Sequence, residues 1–221
     1  MRLLKALVPL SLLVSMSVTG APEKPRIQSP IERITSHVYR IGTLIVDTAA
    51  RTVTAPGSIN MDKGSVEYLA VTPRGKTYES FLRLDVQPMY LNLALILIGC
   101  KSKNVLQYQG QNKTPEGAPV TITVHWHNKF GIAKEARAED FLTLMPGNHP
   151  MPPHPWVFTG SRILPQGYEA DMVGSLVAIW HDPAAVMDNP LPTGADDGWV
   201  VNTARTPPQF TPIHVVFKAV G

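Results

Sequence analysis

Cysteine is nearly missing from this chain: Cys100 is the only one in 221 residues. A single thiol forbids an internal disulfide, cannot hold an iron–sulfur cluster and rules out a four-cysteine zinc site. Charge is scarce too, at 17% of residues. The 20 basic residues include Arg2 and Lys5, so a chain without its first twenty residues carries 18 basic against 17 acidic groups. That near-neutral balance leaves no electrostatic footprint for nucleic acid. No Walker loop, nucleotide fingerprint, Gly-x-Ser-x-Gly elbow or internal repeat is present. No apolar run is long enough for a bilayer span.

What is present begins with an export signal. Arg2 and Lys5 form a charged start, Leu7 to Val18 an apolar core, and Val18 and Gly20 suit a cut before Ala21. Residues 1–20 are therefore read as a signal peptide, with an uncleaved anchor as the alternative. Residues 21–36, opening APEKPRIQSP, are read as a flexible Pro-rich leader. Residues 37–221 are long enough for one domain with a real core. The expected location is the periplasm or the outside of the cell.

The stretch GSINMDKGSVEYLAVTPRGKTYESFLRL, Gly57 to Leu84, carries the densest local signal. Asp62-Lys63-Gly64 is a turn. Ser65–Val71 and Lys76–Leu84 read as strands, and Thr72-Pro73-Arg74-Gly75 is a reverse turn with Pro and Gly in their favoured places. So short a connection predicts an antiparallel hairpin. A bulge at Gly75 puts Glu67 and Glu79 on one face as a carboxylate pair. A register one residue different puts them on opposite faces. A groove beside the hairpin is predicted, lined by Asn60, Glu67, Lys76, Glu79 and Trp156.

The same stretch, with Asn60-Met61, Gly64, Glu67-Tyr68 and Gly75-Lys76 followed by Glu79-Ser80, resembles the YdjY domain family of uncharacterised exported proteins. Ala138-Glu139-Asp140, Trp156 to Ser161, Gly174-Ser175-Leu176 and His181-Asp182-Pro183 extend the likeness from about Val38 to Val216. The resemblance implies the identity of the domain and assigns no catalytic residue.

Gln87 to Gly99 reads as a helix, with Pro88 at its first position and Gly99 at its end. It is apolar almost all round, which predicts a helix enclosed by sheet. Cys100 follows, where the helix dipole disfavours a thiolate. Val120–Asn128 is the cleanest strand: Val120, Ile122, Val124 and Trp126 share one face, and His125 and His127 the other. Asp182 and Pro183 suit a helix start. The fold class expected is α+β, a mainly antiparallel sheet, as a sandwich or partly open barrel, packed around one buried helix.

The functional expectation is an exported binding or assembly module of the cell envelope, whose partner is an envelope protein or a small ligand. The alternative is a metal-dependent hydrolase with His125, His127 and His181 as ligands and Glu67 or Glu79 as base. A bare metal ion is then the one cofactor left open. A redox-accessory role would need a partner's cofactor.

Overall fold

The computed structural model describes residues 30–192 and 198–221. The expected signal peptide and most of the leader lie outside the described residues. Strand takes 41% and helix 12%, so the chain is mainly β.

The chain opens with a small antiparallel flap, β1 (Ile31–Arg33), β2 (Val38–Ile41) and β3 (Leu44–Asp47). Ordered strand therefore begins at Ile31, inside the stretch read as leader. β3 hands over to β4 (Thr52–Ile59). The next strands are β5 (Tyr68–Val71) and β6 (Ser80–Leu84), then β7 (Glu116–His127) and β8 (Ala133–Arg137). β9 (Trp156–Phe158), β10 (Ser175–Ala178), β11 (Met187–Asp188) and β12 (Pro212–Ala219) complete the set used here.

Eight of these strands close into a barrel in the order β4, β12, β7, β9, β11, β10, β5, β6, with β6 returning to β4. The sheet is thus neither a sandwich nor a partly open barrel. Closure leaves the ring without a free edge. The seam is tight: a Cβ on Gly57 would stand 2.4 Å from the Arg83 carbonyl oxygen, so β4 and β6 meet there only because Gly57 has no side chain. The interior is packed. β12 alternates, burying Ile213, Val215, Phe217 and Ala219, and β7 buries Val120, Ile122 and Val124. Both follow the two-residue period of a strand with one face in the core.

The hairpin expected over Gly57–Leu84 does not form. β5 and β6 are parallel, pairing Tyr68 with Ser80 and Ala70 with Leu82. The turn between them packs on a distant segment: Thr72 N donates to Gly174 O at 2.9 Å, and a Cβ on Gly75 would meet that oxygen at 2.8 Å. A one-turn 3-10 helix, Thr77–Glu79, then swings the chain back to the start of β6. The antiparallel side of β6 belongs to β4.

α1 (Pro88–Leu97) forms where expected, with Leu91, Ala94 and Leu95 buried. It is not enclosed, however: Ile96 is 47% and Leu97 40% exposed. The helix lies against the flap, β4 and the short α2 (Glu169–Val173), one face in and one face out. Its first turn is tied by Asp171, whose Oδ1 accepts from Met89 N at 2.8 Å, and its last by Arg51 Nε donating to Ile98 O at 3.0 Å. Both charges complement the dipole. Burial pushes the Cys100 thiol up, partly offset by Arg51, so the residue behaves as a small apolar group. Asp182 begins a turn rather than a helix; its Oδ1 accepts from Ala184 N at 2.9 Å. Among the described residues no helix is long and apolar enough to cross a membrane.

Candidate functional site

Among the described residues, two gatherings of polar side chains differ in kind. The first is the outer flank of β5. Glu67 is pinned by its backbone: its N–H donates to Glu79 O at 2.9 Å and its carbonyl accepts from Ile179 and Trp180. The parallel pairing therefore sets Glu67 beside the 3-10 turn. Lys76 Nζ lies 3.2 Å from Glu67 Oε2 and 2.8 Å from Glu79 Oε1, and 5.5 Å above the Tyr68 ring. Asn60 holds the turn from behind, donating from Nδ2 to Thr77 O at 2.6 Å and Ser80 O at 2.7 Å.

From Glu67 the network runs inward. Gln109 Nε2 donates to Glu67 Oε2 and to Tyr68 Oη, both at 3.1 Å. Tyr68 Oη donates to Asp182 Oδ2 at 2.9 Å. Asp182 N and Asn189 N donate to the two oxygens of Asp188, which is fully buried. His181 is 1% exposed, its ring nitrogens 3.0 Å from Gln111 O and 2.9 Å from Leu191 O.

The electrostatics follow the burial. Desolvation first, and then the neighbouring Glu79, raises the Glu67 carboxyl above its ordinary 4.5. Burial alone would lower the Lys76 ammonium, but its bonds to Glu79 and Glu67 outweigh that and raise it. Burial and the Asp182 charge raise the Tyr68 phenol. Burial lifts Asp188 well above the usual carboxylate value, against the pull of its two backbone donors. Each member of this chain already bonds another member, so it stabilises the outer face of β5 and β10.

The second place is one end of the barrel, where β7 runs out and β12 begins. A groove of about 490 Å³ opens there, walled by Trp126, Lys129, Arg205, Pro207, Pro208 and Pro212. Trp126 is half-buried, its ring 5.8 Å from Phe141 and edge-on to it, so packing fixes it. Arg205 Nη1 bonds Asp140 Oδ1 at 2.8 Å, yet the side chain is 62% exposed. An adjoining cavity of about 300 Å³ is lined by His125, His127, Lys134 and His214. The groove thus combines a ring face, proline walls and cationic groups at the rim.

The family model of the YdjY domain matches residues 44–218, from the first residue of β3 to the penultimate residue of β12. The chain belongs to the YdjY domain family. No curated protein and no solved structure matches it significantly.

Within this YdjY domain, the residues singled out from sequence are divided. Glu67, Lys76 and Glu79 do come together, with Asn60 behind them. Trp156 does not join them: its ring is fully buried, and Nε1 donates to Glu139 Oε1 at 3.1 Å. Glu139 is 1% exposed and is gripped by Arg137 through two N–H groups, an arrangement in which the buried charge is paired.

The three histidines are not brought together either. His125 lies 3.4 Å from Glu135 on the outer face of β7, and His127 is exposed beside it. His181 is buried in the β5 flank. Among the described residues no group of three His, Cys, Asp or Glu side chains is placed to hold a metal ion. Sequence reasoning missed His214, which pairs across the sheet with His125. It also missed Arg205 and the Pro207-Pro208 wall. The alternation of β12 was a signal for His214, since it sets that residue on the outer face. The groove had no local signal, because its two walls are far apart in sequence.

Proposed function

We propose that this YdjY domain is an exported binding module of the cell envelope, holding an anionic ligand with an apolar or aromatic face in the groove beside Trp126. The observation that carries the reading is the groove itself: a ring fixed by Phe141, proline walls, and Lys129 and Arg205 at the rim. Arg205 bonds Asp140 through one nitrogen, and guanidinium has further N–H donors to offer. Ligand sites commonly pair an apolar lining with a few oriented polar groups. The binding reading is preferred to the hydrolase because its parts converge, whereas His125, His127 and His181 do not.

The test uses anilinonaphthalene sulfonate, an anionic aromatic probe. Arg205→Ala and Lys129→Ala are each expected to weaken its binding roughly fivefold, the scale of one exposed charge contact. Equal affinity in both variants and the parent would overturn the reading. Export is tested separately by N-terminal sequencing of the protein from fractionated cells; a chain beginning at Ala21 is the expected result.

A further inference from the structure

The same end of the barrel carries side chains that the groove does not use. Phe130 is 74%, Ile132 54% and Phe210 66% exposed. Single exposed apolar residues, such as Ile163 elsewhere, need no explanation. Three at one end of a closed barrel do. Their common location follows from register: β7 and β8 are joined by the 128–132 turn, and Ile213, three residues after Phe210, pairs with Trp126 near the end of β7.

The turn is built to present them. Asn128 Oδ1 accepts from Phe130 N and from Ile132 N, both at 3.0 Å, and Asn128 N donates to Ile132 O at 3.0 Å. Such side-chain-to-backbone bonds fix a tight turn in advance. The turn also projects: a Cβ on Gly131 would meet nothing within 4 Å. Phe210 stands at φ +66°, a conformation that costs a bulky residue about 1 kcal/mol or more, and Phe210 N bonds Ile59 O at 2.8 Å. Lys129 and Lys134 flank the turn, and Arg205 lies across from it. Of the acids near this end, Asp140 bonds Arg205, and Glu135, 71% exposed, lies 3.4 Å from His125 Nδ1.

We propose that this end of the barrel docks on an anionic phospholipid surface, with Phe130, Ile132 and Phe210 entering the interface and Lys129 and Lys134 meeting the headgroups. A projecting turn with apolar tips suits the headgroup boundary, where a flat protein partner would need a continuous patch. Lysines placed beside such tips gain from the negative surface potential. Lys129 serves both the groove and this turn, but Phe130, Ile132 and Phe210 do not line the groove.

The test is a Phe130→Trp variant of the full chain, mixed with phosphatidylglycerol vesicles or phosphatidylcholine vesicles. Read as the difference from the parent chain with its four native tryptophans, the introduced indole is expected to shift to the blue, and to be quenched by brominated acyl chains, on phosphatidylglycerol alone. Adding Lys129→Glu and Lys134→Glu, a change of four charges, is expected to cut the partitioning roughly several-hundredfold. Sedimentation with vesicles while the introduced indole stays unquenched would place binding elsewhere in the chain and overturn the proposal. So would equal quenching on both lipids, or quenching indifferent to the charge reversals. Probe binding in the groove is measured without lipid, so the two readings fail separately.

Discussion

The flank of β5 and the end of the barrel hold similar side chains in opposite states. On the flank, Glu67, Lys76, Gln109, Tyr68, Asp182 and Asp188 bond one another in sequence. At the end of the barrel, Lys129 and Arg205 rim an open groove, and Phe130 and Phe210 are exposed. Polar groups that satisfy each other under cover hold a fold together. Polar and apolar groups left facing solvent on a rigid frame are available to a partner.

The contrast predicts large stability losses on the flank and almost none at the end. Asp188→Ala would strand two buried backbone N–H groups and should cost about 3 kcal/mol or more in urea unfolding. Tyr68→Phe removes only the hydroxyl between Gln109 and Asp182; it should cost about 1–2 kcal/mol and leave probe binding unchanged. Arg205→Ala should do the reverse, moving stability by no more than about 0.5 kcal/mol while weakening the probe. A stability loss at Arg205 equal to that at Tyr68 would erase the distinction.

The smallest effect expected is one of slope. The folded protein holds the Glu67 proton more tightly than the unfolded chain does, because its carboxyl is raised above 4.5. Folding then takes up protons, so this group's contribution is full below pH 4.5 and is lost as pH rises through the raised folded value. Asp188 acts in the same direction. Glu67→Gln should therefore flatten the fall of the urea midpoint between acid and neutral pH, without abolishing it. An unchanged slope would show that Glu67 is solvated like any surface carboxylate.

Much of the frame was legible locally. The alternation of Val120, Ile122 and Val124 reports a strand with one buried face, and β7 is that strand. Pro88 and Gly99 bracket α1, since each suits one helix end alone. The helix was placed rightly and its surroundings wrongly, because an apolar residue such as Ile96 does not say whether anything covers it. The β5–β6 pairing was illegible for a related reason: the turn between the two strands packs at Gly75 on Gly174, and no window of neighbouring residues contains both. Even so, Glu67 and Glu79 meet as a pair, because the parallel register brings the start of β5 level with the 3-10 turn. The barrel-end groove needs residues near 126 and near 206 side by side, which only the seating of β12 achieves.

That seating constrains how the molecule is made. β12 follows every other strand of the ring in sequence, yet it lies between β4 and β7 and bonds both along almost its whole length. A nascent chain still missing residues 212–219 has an open gap in its wall and two unpaired edges beside it. The ring cannot be completed until residues 212–219 are free to pair with both neighbours. Removing that strand should leave a chain that never closes, however intact the preceding residues are.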